Sequence, residues 1–211
     1  MSAPLLPTAY LPPVAYMACL AQNTDVTVEV YETYPKQTLR NRAIIMTANG
    51  LQDLTVPVSR PDGNHTITSR MTVDNSRPWA RTHLRTLDAA YSASPYYFYY
   101  RDDIERTLLT PYPTLIELNT ALTKLLLRLF KIECQIAQST DFEPPCGKSE
   151  DLRQAFGPKH SQVAIECLPY TQVFADRHRF EPNLSAIDLL CNLGPDSKDY
   201  LQSVKLIVQD T

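Results

Sequence analysis

The chain has 211 residues, 44% hydrophobic and 20% charged, which is enough apolar residue for a core and unlike a disordered or fibrous chain. Its five glycines are scattered, so neither a GxGxxG fingerprint nor a Walker A loop can be written. The net charge of −3 disfavours nucleic acid, which rewards a basic surface.

The opening stretch is apolar but has no Lys or Arg before Lys36, and Pro4, Pro7, Pro12 and Pro13 interrupt it. It does not read as a secretory signal. Residues 4–11 predict a strand, Pro12-Pro13 a turn, and 14–22 a short apolar helix. Residues 24–31 put Val26, Val28 and Val30 on one face, the period of a strand. Residues 42–47 and 51–58 flank Asn49-Gly50 and predict a hairpin, with Asn-Gly supplying the positive φ of a type I′ turn. Residues 61–64 predict another turn and 65–73 a further strand.

A helical half follows. Ser76 is placed to cap a helix and Pro78 suits its first turn. Trp79, His83, Leu87 and Tyr91 recur every four residues, with Leu84 and Ala90 widening the stripe. Residues 97–109 predict a second helix. A third begins after Pro113, striped by Leu115, Leu118, Leu122, Leu125, Leu126 and Leu129. Residues 133–137 predict a short strand, 139–161 a loop and 170–178 a helix. Ser185 and Asp188 resemble a capping box opening a helix through Cys191, which Gly194-Pro195 closes. Strands first and helices after predict a single α/β domain over 1–211. Its mixed sheet forms early in the chain, with helices mainly from the C-terminal half packed on it. No run of about 18 apolar residues occurs, so no membrane span is expected.

The five cysteines are odd in number, lack a CxxC pair and show no ligand spacing with the four histidines. Neither a disulfide framework nor a metal site is expected, and Cys19 and Cys191 read as core.

Residues 36–88 carry eight Lys or Arg against four Asp, which is either a local positive field that suits a small anion or the ordinary scatter of charge along a chain. Within it, Lys36, Arg40 and Arg42 alternate with Gln37 and Asn41, with no acid between them. An extended chain would set Lys36, Thr38, Arg40 and Arg42 on one face. Two guanidinium forks and an ammonium match phosphate or carboxylate. Gln37 and Asn41 on the other face could read a hydroxyl or an amide. A charged, solvated edge strand is the alternative. Tyr10 and Tyr16 bracket the double-proline turn, where a helix N-terminus would offer N–H groups to an anion. A structural corner with two packing tyrosines explains the same residues. His83 is either a general base or a satisfied core histidine on the apolar stripe.

These residues also carry a resemblance. The stretches 8–16, 36–42, 48–50 and 54–58, Trp79 with His83, 89–97, and 170–174, 180–190 and 192–195 together resemble the WbqC-like protein family. The resemblance implies a bacterial, cytoplasmic protein associated with O-antigen and other surface polysaccharides. It supplies no catalytic residue to carry over. The chain departs from the family pattern at 139–169, which lacks the glycine-containing segment with a Tyr-Leu pair. A site depending on that segment would be absent or rebuilt.

Resemblance and residues together lead to a transferase-like enzyme acting on a phosphate-bearing activated sugar or acyl donor, needing no cofactor. Lys36, Arg40 and Arg42 would neutralise the donor, and Gln37 and Asn41 would orient the acceptor. Tyr10 and Tyr16 would border the pocket, with His83 as general base. The expected partner is a nucleotide sugar or sugar phosphate, with no nucleic acid and no membrane. The alternative is a non-catalytic binding or scaffold protein of the same pathway. Geometry separates them: an enzyme would gather Arg40, Arg42 and His83 around one pocket, whereas pairing with acids and burial would favour a scaffold.

Overall fold

Strands with no polar face have to be covered on both sides, and a parallel sheet does this with crossover helices. The computed structural model describes residues 3–36, 38–144, 151–156 and 163–208. β1 (Leu5–Pro7), all three residues buried, runs parallel to β2 (Asp25–Glu29), with Leu6 opposite Val28. The crossover is α1 (Val14–Gln22), whose residues from Val14 to Leu20 are all buried. β3 (Arg42–Thr47) and β4 (Gly50–Thr55) form an antiparallel hairpin, and β5 (Val58–Ser59) pairs antiparallel with β6 (Thr72–Val73). Three helices follow, α2 (Trp79–Tyr91), α3 (Tyr97–Leu109) and α4 (Leu115–Phe130).

β7 (Gln135–Gln138) then joins β2 in parallel, giving the sheet order β1-β2-β7. β8 (Val163–Glu166) pairs antiparallel with the last strand, β9 (Lys205–Val208). Between them lie α5 (Ala186–Leu193) and α6 (Ser197–Ser203). This is the expected α/β arrangement. A parallel sheet from the early strands is completed by one late strand, with helices around it. One hydrophobic cluster runs from Leu6 to Val204 and takes in α1, α4 and α5. Among the described residues, no helix is long and apolar enough to cross a membrane.

The long helices follow the predicted periods. Trp79, His83, Leu84, Leu87, Ala90 and Tyr91 are the buried stripe of α2. α4 also carries a full capping box that the sequence reading passed over. Thr114 accepts from the Glu117 amide, and the Glu117 carboxylate accepts from the Thr114 amide.

The short elements differ more. In the hairpin Thr47 pairs with Gly50, so Ala48 and Asn49 are the central turn residues. Only Gly50 has positive φ, at 105°, so the turn is not type I′. The predicted strand over 65–73 is strand only at Thr72–Val73 and is interrupted by the 3₁₀ turn Thr68–Arg70, where the Thr68 and Ser69 amides bond to the carbonyls of Glu32 and Val30; a second 3₁₀ turn, Gly63–His65, precedes it. The predicted helix over 170–178 is a series of turns. Ser185 caps α5 as read, but the Asp188 carboxylate turns away from the cap to Tyr170 and Gln172.

Candidate functional site

The segment 38–42 is not a free edge strand. The Tyr10 amide donates to the Leu39 carbonyl at 2.9 Å, Asn119 Nδ2 to the Arg40 carbonyl at 2.8 Å, and the Val56 amide to the Asn41 carbonyl at 2.8 Å. Pinned at three points, the segment sends its cations different ways.

Arg40 points into the interior and is 1% exposed. Its Nε donates to Glu32 Oε1 at 2.7 Å and its Nη2 to the Arg153 carbonyl at 3.3 Å. Around this pair lie further buried charges. The Glu29 carboxylate accepts from the Tyr31 and Glu143 amides and the Ser139 hydroxyl, with Arg153 Nη1 3.6 Å away. Arg153 also holds Asp151 in a fork of 2.8 and 2.6 Å. Burial pushes the Glu32 carboxyl above its ordinary value, and the neighbouring Arg40 opposes that shift. Arg40 is therefore committed to Glu32.

Arg42 behaves otherwise. Its Nη1 lies 3.2 Å from Asp53, which sits diagonally across the hairpin. Its Nε is buried with no hydrogen-bond partner among the described residues. Arg42 lines a cleft of about 230 Å³ with three walls. Leu11 and Pro13 of the double-proline turn form one, Leu39 and residues 42–44 the second, and Glu181, Asn183 and Ser185 the third. Leu51, Phe156 and Leu184 complete the apolar lining.

The third wall is stitched to the other two. Val14 and Ala15, the first amides of α1, donate to the Leu184 carbonyl and to Asn183 Oδ1. The Ala186 amide bonds the Pro12 carbonyl and the Ser185 amide the Ile44 carbonyl. The helix N-terminus that the sequence offered to an anion is thus capped by the protein itself. Gln172 braces the same wall from behind. Its Nε2 donates to the Glu181 carbonyl at 2.8 Å, and its Oε1 accepts the Glu181 amide at 3.0 Å. Leu11 holds φ at +40°, a left-handed value that a non-glycine residue keeps only where its surroundings impose it.

The remaining residues named from sequence are spread out. Tyr10 is fully buried, with its hydroxyl 2.8 Å from Nδ1 of His83. His83 is buried edge-on to Trp79 and does not belong to the lining of this cleft. Burial pushes its imidazole down to about 4, opposed by a backbone hydrogen bond to Thr55. It is neutral at physiological pH and shares a hydrogen bond with the Tyr10 hydroxyl through Nδ1. The Tyr16 hydroxyl donates to the Pro7 carbonyl at 3.0 Å, and its ring lies against Phe156. Asn41 Nδ2 donates to the Val56 carbonyl at 2.9 Å, a structural bond. Lys36 is exposed, and Gln37 lies outside the described residues.

The structure therefore joins the Tyr10–Tyr16 turn and the 36–42 segment at one cleft through Leu11, Pro13, Leu39 and Arg42. It does not bring Arg40 or His83 there. Sequence reasoning missed Glu181, Asn183 and Ser185. Their sequence signals are the polar Glu-Pro-Asn-Leu-Ser run that ends on the α5 cap and its place in the 180–190 stretch of the resemblance.

Fold and cleft define an α/β protein with a small, mostly apolar site that holds one half-buried arginine, one carboxylate, an amide and a hydroxyl. The chain belongs to the WbqC-like protein family, whose model matches residues 8–160. That match takes in two walls of the cleft and stops short of the third. The chain is also 29% identical over 218 residues to the uncharacterised protein Rv1507c of Mycobacterium tuberculosis, across 92% of this chain and 94% of that protein. No solved structure matches.

Proposed function

We propose that the chain is a binding protein of bacterial surface-polysaccharide assembly. Its ligand is a sugar or acyl donor bearing an anionic phosphate, held in the Arg42 cleft. The observation that carries this is Arg42 itself, the one cation of the 36–42 run that lines the cleft, its guanidinium paired among the described residues only to a half-exposed Asp53. A guanidinium there takes a phosphate oxygen, while Glu181, Asn183 and Ser185 offer the mixed donors and acceptors that hydroxyls need. Leu11, Leu39 and Leu51 supply apolar surface for the rest. Membership of the WbqC-like family supports the pathway.

A transferase is the second reading, and the Tyr10–His83 hydrogen bond favours it. Tyr10 adjoins the strained Leu11, so a ligand that moves this turn would move the Tyr10–His83 pair with it. The test is a thermal-shift panel of nucleotide sugars, sugar phosphates and acyl thioesters. A ligand at about 100 times its dissociation constant adds about 2.7 kcal/mol of apparent stability. Arg42→Ala should abolish the shift given by the nucleotide sugars. No shift with any member sinks the proposal. Turnover of a bound member that His83→Gln removes, with binding intact, would replace binding by transfer.

A further inference from the structure

A second cavity, of about 360 Å³, opens at the carboxyl ends of the parallel strands. Thr8 directly follows β1, Val28 lies near the end of β2, and Gln138 ends β7. Ligands of open α/β sheets collect at that end. α4 closes the other side with Asn119, Thr120, Thr123 and Lys124. None of these residues lines the Arg42 cleft.

The polar groups here are unusually free. Thr8, Asn119 and Thr123 are all buried. Asn119 Nδ2 gives its hydrogens to Thr8 Oγ1 at 3.0 Å and to the Arg40 carbonyl at 2.8 Å. Those two bonds fix the amide and leave its Oδ1 buried without a partner among the described residues. Threonines 82, 86, 107 and 110 each return their hydroxyl to the carbonyl four residues back. Among the described residues no such bond occupies the hydroxyl of Thr120 or Thr123, the two α4 threonines that line the cavity. Lys124 stands exposed at the rim with no acidic partner among the described residues, and the lining contains no Asp or Glu. Buried polar groups are normally satisfied, so a cluster left open beside a cavity marks what the cavity receives.

We infer that this cavity is a second ligand site, for a monosaccharide-sized polyol carrying one phosphate or carboxylate. Hydroxyl and amide groups that both donate and accept match a polyol's hydroxyls, and one lysine matches one anionic group. A nucleoside diphosphate would leave charge without a partner. A purely apolar ligand would leave the buried polar groups open. The volume is within the range of small-molecule sites. The inference is independent of the Arg42 cleft and stands or falls on its own residues.

The test is amide NMR of the full chain titrated with glucose 6-phosphate, gluconate, glucose and inorganic phosphate. Glucose 6-phosphate or gluconate should shift the amides of 119–124 and 136–138. Lys124→Ala, an exposed change, should weaken binding about tenfold, and Thr123→Val about fivefold. Arg42→Ala should leave this binding unaltered, which separates it from the cleft proposal. The inference is overturned if shifts are confined to 11–13, 39–44 and 181–185, or if both cavity variants bind as the parent does. It is equally overturned if inorganic phosphate matches the sugar phosphate, or if nothing binds at about 10 mM.

Discussion

Arg40 and Arg42 stand two residues apart in one cationic run, yet they occupy opposite environments. Arg40 is sealed inside with Glu32, Glu29, Arg153 and Asp151, where each charge has a partner. Arg42 is half exposed at a cleft, sharing a half-exposed Asp53 and keeping a nitrogen unpaired. The same residue type thus fixes the fold at one position and lines an open cleft two positions on. The difference comes from what the chain brings opposite each: an interior carboxylate for Arg40, a hairpin edge for Arg42.

The sharpest way to break this comparison is to remove Arg40. Arg40→Met leaves Glu32 buried and uncompensated, which should destabilise the protein by about 3–5 kcal/mol. The double variant Arg40→Met with Glu32→Leu should recover most of that loss, because it removes the stranded charge as well. Urea denaturation of the parent and both variants measures this. Equal loss in single and double variants would show that Arg40 acts through packing alone.

His83 adds a pH dependence. Its folded value of about 4 lies below the ordinary histidine value of 6.5. The folded state therefore binds fewer protons than the unfolded chain between those values. Its contribution is fully present above pH 6.5 and is lost as pH falls toward 4, about 3 kcal/mol in all. Glu32, held above the ordinary carboxylate value, works in the opposite sense. Comparing the parent with His83→Gln isolates the histidine: the variant's melting temperature should fall less between pH 7 and pH 4.5. An unchanged acid limb would contradict a neutral, buried His83.

Much of this architecture is legible in the sequence, and the limits have physical causes. α1 to α4 follow from composition and a four-residue stripe, which are local properties. The hairpin follows from its turn residues, although its register does not. The β8–β9 pair and α6 went unread because short elements carry little periodicity. Arg40 misleads because alternation assumes an extended chain, whereas 38–42 bends between Tyr10, Asn119 and Val56. Arg153 and the 181–185 wall are far along the chain, and nothing near Arg40 or Arg42 announces them. Contacts at that separation are properties of the fold.

Gln172 should give an intermediate effect. Gln172→Ala removes both hydrogen bonds to Glu181 and one donor to the buried Asp188 carboxylate. A loss of about 1–3 kcal/mol is expected. Hydrogen exchange should report faster exchange at the Glu181 amide, which Gln172 Oε1 now protects. If the amide stays protected, the wall is held by the Val14, Ala15 and Ile44 bonds alone.

The smallest effect on stability belongs to Arg42, and it is the most telling for function. Its pair with Asp53 is partly solvated, with 26% and 49% of the two side chains exposed. Exposed pairs of this kind contribute about 0–1 kcal/mol, so neither Arg42→Ala nor Asp53→Asn should move the urea midpoint much. Their effects on binding should be opposite in sign. Losing Arg42 removes the anion contact. Losing the Asp53 charge frees the guanidinium and removes a like charge from the approaching anion. Asp53→Asn should then tighten binding of a phosphate-bearing ligand about two- to fivefold, the equivalent of roughly 0.4–1 kcal/mol. Isothermal titration with whichever member of the panel binds the parent decides the matter. Weaker binding in Asp53→Asn would mean that the pair acts as a unit that shapes the cleft, and that Arg42 is no freer for a ligand than Arg40 is.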